Sequence, residues 1–123
     1  LHIECTSRFV CGDKVVLGKV DLYEPTSEQE KKEDFDWGSF DWDIRGGNRY
    51  DELVERYFSE DSPKFFVEEV KVNRLGDLKI KFNNDFVLEV TIDTSVDECW
   101  RFFEINAKEH LVITGQGIER YDE

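Results

Sequence analysis

The chain has 123 residues, of which 39% are hydrophobic and 37% charged, and its formal net charge is −13. This length fits a single domain over residues 1–123, and ten phenylalanines supply enough apolar material for one core. A chain this acidic repels a phosphate backbone, which excludes ordinary nucleic-acid binding. Because no run of about eighteen apolar residues occurs, the sequence predicts no membrane span.

The N-terminal segment predicts two β-strands. RFV and KVVLGKVDLY are β-branched and aromatic runs, and the residues Cys11, Gly12 and Asp13 between them favour a tight turn. Residues 24–34, EPTSEQEKKED, contain a proline, many charges and no aliphatic residue. We therefore expect them to form an exposed loop.

One helix is predicted, and it begins after Asn48. Asn48 can cap the helix, and Asp51 and Glu52 suit its positive N-terminal end. The Ser62-Pro63 pair stops it, since the residue before proline avoids helical geometry. Apolar residues recur at three- and four-residue spacings and form one stripe: Tyr50, Leu53, Val54, Tyr57 and Phe58.

The C-terminal half predicts antiparallel strands. Apolar residues alternate with polar ones in three runs, each expected to turn one face inward: Val70 and Val72; Leu78, Ile80 and Phe82; Phe86, Leu88, Val90 and Ile92. Turns are expected at Leu75-Gly76-Asp77 and Asn83-Asn84-Asp85. CWRFFEI and HLVITG are further strand candidates. The fold class is therefore α+β, a mainly antiparallel sheet with one principal helix packed on it.

Three cysteines, Cys5, Cys11 and Cys99, leave at least one thiol unpaired. They build no dense disulfide framework, which favours a reducing compartment and a cytoplasmic location. Cys5 and Cys11 could meet across a turn, but burial as free thiols is the commoner state. An edge strand over residues 99–105 could pair across a two-fold axis, and the oligomeric state is left open. Because the first residue is Leu1, the sequence also leaves open whether a segment or signal peptide precedes it.

The stretch DFDWGSFDWD, residues 34–43, is the candidate functional feature, and we call it the acidic aromatic segment. It lies within residues 21–62, which hold fourteen acids and five bases. Such a field favours the approach of a basic protein or a cation. One hypothesis is that the acids are a solvated face and the rings cover the domain's own core. The other is an aromatic anchor with a charged rim, as in protein interfaces. The candidate partner-binding residues are Asp34, Asp36, Trp37, Asp41, Trp42 and Asp43.

Calcium binding is an alternative for the same region. In DWDIRGGNRYDE, residues 41–52, Asp41, Asp43 and Glu52 fall on ligand positions of an EF-hand loop, and Gly46 falls on its glycine position. Arg45, however, occupies a position that needs an oxygen ligand, and no entering helix precedes the loop. Arg45 is instead expected to pair with Asp41 or Asp43. We therefore predict no metal and no other cofactor, and a purely structural role is the remaining alternative.

No catalytic signature is present, so the protein is not expected to be an enzyme. His2 and His110 lie in no metal-binding spacing, and no nucleophile elbow or phosphate-binding glycine loop occurs. Cys99 and His110 could form a nucleophile and base, but Cys99 precedes Trp100 in an apolar strand and should be buried.

The strings LHIECTSRF, FDWD, GGNRYDE, LKIKFNNDFVLEV, WRFFE and HLVITG, which span most of the chain, resemble a group of small uncharacterised bacterial proteins. Some small acidic proteins of this kind are similar to immunity proteins, which are encoded beside bacterial toxins and cover the toxin's active surface. The resemblance implies a cytoplasmic, non-catalytic binding role with a basic toxin as partner, and it assigns no site residues.

Overall fold

The computed structural model describes residues 1–105 and 108–122, and the side chains of 120–122 are outside the description. Nine strands lie in these ranges: β1 (His2–Ile3), β2 (Thr6–Cys11), β3 (Lys14–Gly18), β4 (Val67–Val72), β5 (Leu78–Phe82), β6 (Phe86–Thr91), β7 (Glu98–Phe102), β8 (Glu109–Thr114) and β9 (Gly117–Asp122). Two α-helices, α1 (Ser27–Glu30) and α2 (Arg49–Phe58), precede β4. The residues Lys19–Tyr23 and Trp37–Ser39 form short 3₁₀ turns.

The strands form two antiparallel sheets rather than one. The large sheet has the order β3-β2-β6-β5-β4, and the small sheet has the order β1-β7-β8-β9. Every pairing among the described strands is antiparallel. The predicted class, mainly antiparallel strands with one main helix, is thus confirmed, whereas the single sheet is wrong. Strand periodicity reports which face of a strand is apolar but carries no information on which sheet the strand joins.

The N-terminal prediction holds in part. Strands β2 and β3 form a hairpin in which Gly12 has a φ of 61°, a left-handed geometry that glycine adopts without strain. Strand β3 ends at Gly18, earlier than the apolar run suggested. The expected exposed loop over 24–34 contains α1, whose start is capped by Thr26, and Pro25 is fully buried. Residues 24–34 are therefore a structured segment that is attached to the interior through Pro25.

Helix α2 begins where the sequence predicts. The Asn48 side chain accepts a hydrogen bond from the backbone N–H of Asp51, as an N-cap residue does. Leu53, from the predicted apolar stripe, is buried. The helix ends at Phe58 and not at Ser62-Pro63, because Ser59 already adopts an extended backbone with a ψ of 164°. Within the described residues, no helix combines the length and apolar character needed to cross a membrane.

Two apolar clusters form the interior. The first takes residues from both sheets and so joins them: Cys5, Leu78, Val90, Cys99, Trp100 and Ile113. The second consists of Phe9, Leu17 and Leu53, surrounded by partly buried rings that include Phe82 and Phe86. Its aromatic rings meet edge to face or tilted, with Phe9 and Phe86 centroids 5.4 Å apart. Leu53 is the contribution of α2 to this cluster.

A disulfide between Cys5 and Cys99 links the two sheets. Cys5 lies between β1 of the small sheet and β2 of the large one, and its Cα is 4.7 Å from that of Cys99 in β7. The backbone N–H groups of Glu4 and Cys5 both donate to the Cys99 carbonyl. The expectation that these cysteines stay thiols is therefore wrong, as is the alternative pairing of Cys5 with Cys11. Cys11 is the free thiol.

Strand β7 is an interior strand. It pairs with β1 on one side and β8 on the other, so the expected free edge over residues 99–105 is wrong for this strand. The sequence suggested an edge because no local pattern shows that the two residues of β1, near the start of the chain, pair with β7. A free edge of the large sheet is instead β4, which pairs with β5 alone among the described strands. All six of its residues are exposed, so the predicted inward face of β4 is not covered.

Candidate functional site

The acidic aromatic segment lies between α1 and α2, and two of its carboxylates shape it. The Asp36 side chain accepts a hydrogen bond from the backbone N–H of Gly38 at 2.9 Å and so caps the 3₁₀ turn. The Asp41 side chain accepts one from the N–H of Asp43 at 3.0 Å. Short acidic side chains commonly hold turns in this way. Asp36 and Asp41 therefore have a structural task besides carrying charge.

The aromatic rings of the segment pack mainly on one another. The Phe35 centroid lies 5.4 Å from that of Trp37 and 6.4 Å from that of Phe40, in edge-to-face contacts. Trp42 makes a similar contact with Tyr23 at 5.2 Å. Trp37 nevertheless remains 58% exposed and Trp42 42% exposed. Neither tryptophan belongs to the two interior clusters, so both indoles are accessible at the surface.

The four aspartates of the segment, Asp34, Asp36, Asp41 and Asp43, are exposed. In the described part of the chain, no salt bridge within 4.0 Å joins any of them to a lysine or arginine. The expected pairing of Arg45 with Asp41 or Asp43 is accordingly not seen. The segment thus presents uncompensated negative charge beside the two tryptophans.

A cleft of about 320 Å³ opens beside the segment. Asp34, Asp36 and Asp41 contribute to its wall, together with Phe35, Phe40, Lys32 and others. Trp37, Trp42 and Asp43 lie outside the wall. A wider cleft of about 710 Å³ adjoins it and shares Gln29 and Lys32. The structure therefore gathers three of the six predicted residues around one concavity and leaves the others on the surface beside it.

The C-terminal end of the segment is tied to the start of α2. Asn48 is 2% exposed, and its amide donates a hydrogen bond to the Trp42 carbonyl at 2.9 Å. Asp51 in turn accepts a hydrogen bond from the N–H of Gly46 at 2.9 Å. Because Asn48 also caps the helix, the cap and the position of Trp42 depend on the same side chain.

The arrangement gives no support to the calcium alternative. Glu52 accepts hydrogen bonds from the hydroxyl and backbone N–H of Ser27, and these bonds hold the pKa of its carboxyl below its ordinary value. It is thereby turned towards α1. Two groups of three ligand-type residues converge within 4.8 Å in the described ranges, and neither contains Asp41, Asp43 or Glu52.

One of these two groups, His2, Glu4 and Glu98, lies in a further cleft that the sequence did not reveal. This cleft, of about 250 Å³, lies in the small sheet and is lined by His2, Glu4, Glu98, Arg101, Phe103 and His110. It exists because β1 and β8 both pair with β7, which places His2 opposite Arg101 and brings His110 nearby. The two histidines are 108 positions apart, and no local motif connects them.

Arg101 organises the cleft. Its guanidinium donates to both carboxylate oxygens of Glu98 and to Nδ1 of His110, the latter at 2.9 Å. Its hydrogen bonds are the main reason that the pKa of Glu98 lies below its ordinary value. Because arginine only donates, Nδ1 of His110 accepts, which places the imidazole proton on Nε2. The imidazole ring of His110 also stacks on the ring of Phe103, with the two centroids 4.5 Å apart.

The cleft contains atoms that could bind a metal ion, but these atoms already take part in hydrogen bonds within the protein. The nitrogen and oxygen ligands of His2, Glu4 and Glu98 are close enough for a divalent ion, with His2 Nε2 3.1 Å from Glu4 Oε1. An ion there would have to displace the guanidinium of Arg101 from Glu98, since both oxygens already accept from it. The pair of Cys99 and His110, which the sequence already disfavoured as a nucleophile and base, is not available, because the Cys99 sulfur is in the disulfide.

No protein-family model, curated protein or solved structure matches this chain. The function of the chain is therefore inferred from the geometry of the acidic aromatic segment and from the charge around it.

Proposed function

We propose that the protein is a non-catalytic binding domain that docks its acidic aromatic segment on a basic surface of another protein. In the immunity-type form of this proposal, the partner is a basic bacterial toxin whose active surface is covered. The observation that supports it is the 58% exposure of Trp37 among four aspartates without a basic counter-ion in the described part of the chain. A large accessible ring beside charged groups has the composition of an interface anchor and its rim.

The two kinds of side chain serve different steps of binding. Carboxylates without counter-ions attract a basic partner over a distance of about 10 Å at moderate salt, which raises the association rate. Indole rings act after contact, because burying Trp37 or Trp42 removes apolar area from water and slows dissociation. Against a nuclease, the aspartates would occupy the positions that substrate phosphates take. The excess of nine acids in residues 21–62 enlarges the field around the segment.

The proposal does not include the cytoplasmic location expected from the sequence. Disulfides persist mainly in oxidising compartments, and Cys5 and Cys99 form one. A partner met outside a reducing compartment agrees with this bond.

The test uses the product of the neighbouring reading frame as the partner and measures association and dissociation rates. The charge-reversal variant is Asp34→Lys with Asp43→Lys, because these side chains accept no hydrogen bond within the described contacts, unlike Asp36 and Asp41. We expect the association rate constant to fall about tenfold at low salt and the difference to shrink at high salt. Trp37→Ala should instead weaken binding about thirtyfold, mainly through faster dissociation.

Matched controls separate the segment from overall charge and hydrophobicity. Asp13→Lys with Glu104→Lys changes the net charge equally at two exposed positions elsewhere, and Phe102→Ala removes another exposed ring. These variants should bind as the unaltered protein does. Equal losses in the control and segment variants would overturn the assignment of the segment, and failure of the unaltered protein to bind would overturn the toxin partner.

A further inference from the structure

The free edge of the large sheet has an apolar face that the domain does not cover. In β4, Val67, Val70 and Val72 lie opposite Phe82, Ile80 and Leu78 of β5, and opposite residues of an antiparallel pair share a face. Leu78 is buried in the cluster that joins the sheets. The three valines are nevertheless 58%, 55% and 45% exposed. The apolar face therefore continues past the residues that belong to the two interior clusters or pack on them.

The other face of β4 carries alternating charges. Glu69 lies opposite Lys81 of β5, whereas Lys71 lies opposite Lys79, which places two like charges side by side. Glu69 and Lys71 are themselves joined by a salt bridge of 3.3 Å. On this face the strand thus shows one negative and one positive side chain, two residues apart, whereas Glu68 is the extra residue of the bulge between Val67 and Glu69 and lies outside the regular pairing with β5.

We propose that a second copy of the chain adds its own β4 antiparallel to this edge, which makes one continuous sheet from the two large sheets. The two-fold axis passes through Val70, so that Val70 of each copy faces Val70 of the other. Glu69 then lies opposite Lys71 of the other copy, and this pair occurs twice. The occupant is a second copy because the charge pattern is complementary to itself. The additional backbone hydrogen bonds come from an edge that no described strand pairs with.

The charges select this register against its neighbours. Moving the axis to Lys71 places two lysines directly opposite each other, and moving it to Glu69 places two glutamates opposite each other. An axis between residues would bring valines opposite charged side chains and so mix the two faces. The central register also brings Glu69 of the second copy beside Lys71, which offsets the repulsion between Lys71 and Lys79.

The experiment measures the molar mass of the full chain over a concentration series by sedimentation equilibrium. The unaltered protein should form a dimer. Lys71→Glu puts glutamates opposite each other and Glu69→Lys puts lysines opposite each other, so each variant alone should dimerise about tenfold more weakly or worse. Lys14→Glu, on the opposite edge strand β3, makes the same change in net charge as Lys71→Glu and should leave the dimer unchanged.

Mixing the two variants is the decisive measurement. A Glu69→Lys chain and a Lys71→Glu chain present opposite charges to each other at both positions, so the mixture should form a heterodimer more tightly than either variant dimerises alone. A variant that failed to fold would not be rescued by mixing. A monomeric unaltered protein, an unchanged dimer in either single variant, or a mixture without heterodimer would each overturn the proposal.

Discussion

Asp77 shows how one side chain joins distant parts of the large sheet. It lies in the turn between β4 and β5, and its carboxylate accepts hydrogen bonds from the backbone N–H of Ile92 at 2.8 Å and from the Asn73 amide at 2.9 Å. The bond from Ile92, followed by that from Asn73, holds the pKa of the Asp77 carboxyl below its ordinary value. The turn is therefore tied to the chain just after β6.

Replacing Asp77 with alanine should destabilise the fold. The N–H of Ile92 would lose its acceptor, which typically costs about 1 to 2 kcal/mol of unfolding free energy. Because the folded pKa is depressed, this contribution is fully present above the ordinary aspartate pKa and is lost as the pH falls through the folded pKa. The difference between the unaltered protein and Asp77→Ala in urea unfolding should thus shrink in acid. Asp13→Ala, in an exposed turn, is the control, and an undiminished difference in acid would contradict the electrostatic explanation.

The sequence predicts individual residues best where the backbone conformation restricts the residue type. Gly76 has a φ of 97°, and a Cβ added there would lie 2.7 Å from an Ile113 methyl group, so the turn needs glycine for both conformation and space. Asp85, in the second predicted turn, has a φ of 64°. Both turns were evident in the sequence because left-handed geometry restricts the residue type. The contact of Gly76 with Ile113 was not, since it depends on the packing of the two sheets.

Among the elements, α2 is the one that supports the candidate site. Its N-cap, Asn48, is buried; its side chain accepts from the Asp51 N–H and donates to the Trp42 carbonyl and, at 3.3 Å, to the Asp51 carboxylate. The helix stripe and its cap are local patterns, which is why the sequence predicted both. The link from the cap to Trp42 was not predictable, because it requires the path of residues 42–47 to be known.

The two tasks of Asn48 can be separated by two substitutions. Asn48→Ala removes all three side-chain hydrogen bonds and should lower the unfolding free energy by about 1 to 3 kcal/mol. Asn48→Asp keeps an oxygen that can accept from the Asp51 N–H but has no amide to donate to the Trp42 carbonyl or to the Asp51 carboxylate. It should preserve the helix content while altering the environment of Trp42, measured by circular dichroism and tryptophan fluorescence. An unchanged tryptophan fluorescence in Asn48→Asp would show that the bond to Trp42 has no separate role.

For the molecule as a whole, the disulfide is the covalent link between the sheets. It closes a loop with a sequence separation of 94 residues, so it restricts the unfolded chain strongly. Reduction should lower the unfolding free energy by about 2 to 4 kcal/mol, and Cys5→Ala with Cys99→Ala should do the same. Cys11→Ala is the control for loss of a thiol. Free-thiol titration of the unfolded, unreduced protein should find one reactive group per chain, and three would contradict the bond.

Whole-molecule features were the least accessible from the sequence. The strands could be predicted from the alternation of apolar and polar residues. How the strands divide between two sheets depends on pairings such as β1 with β7, which join residues about a hundred positions apart. The disulfide and the cleft of His2 and His110 both follow from that one pairing. The acidic aromatic segment was evident because its composition is local, and the structure adds that its rings cluster outside the interior.

The disulfide between Cys5 and Cys99 also affects how the chain matures during synthesis. While the chain is being made from its N-terminus, Cys5 is synthesised 94 residues before its partner Cys99. During that interval the nearest thiol to Cys5 is Cys11, so a cell that oxidises cysteines as they emerge can trap the wrong pair. Correct maturation therefore depends either on oxidation that waits for the completed chain or on an isomerase that reshuffles the early product.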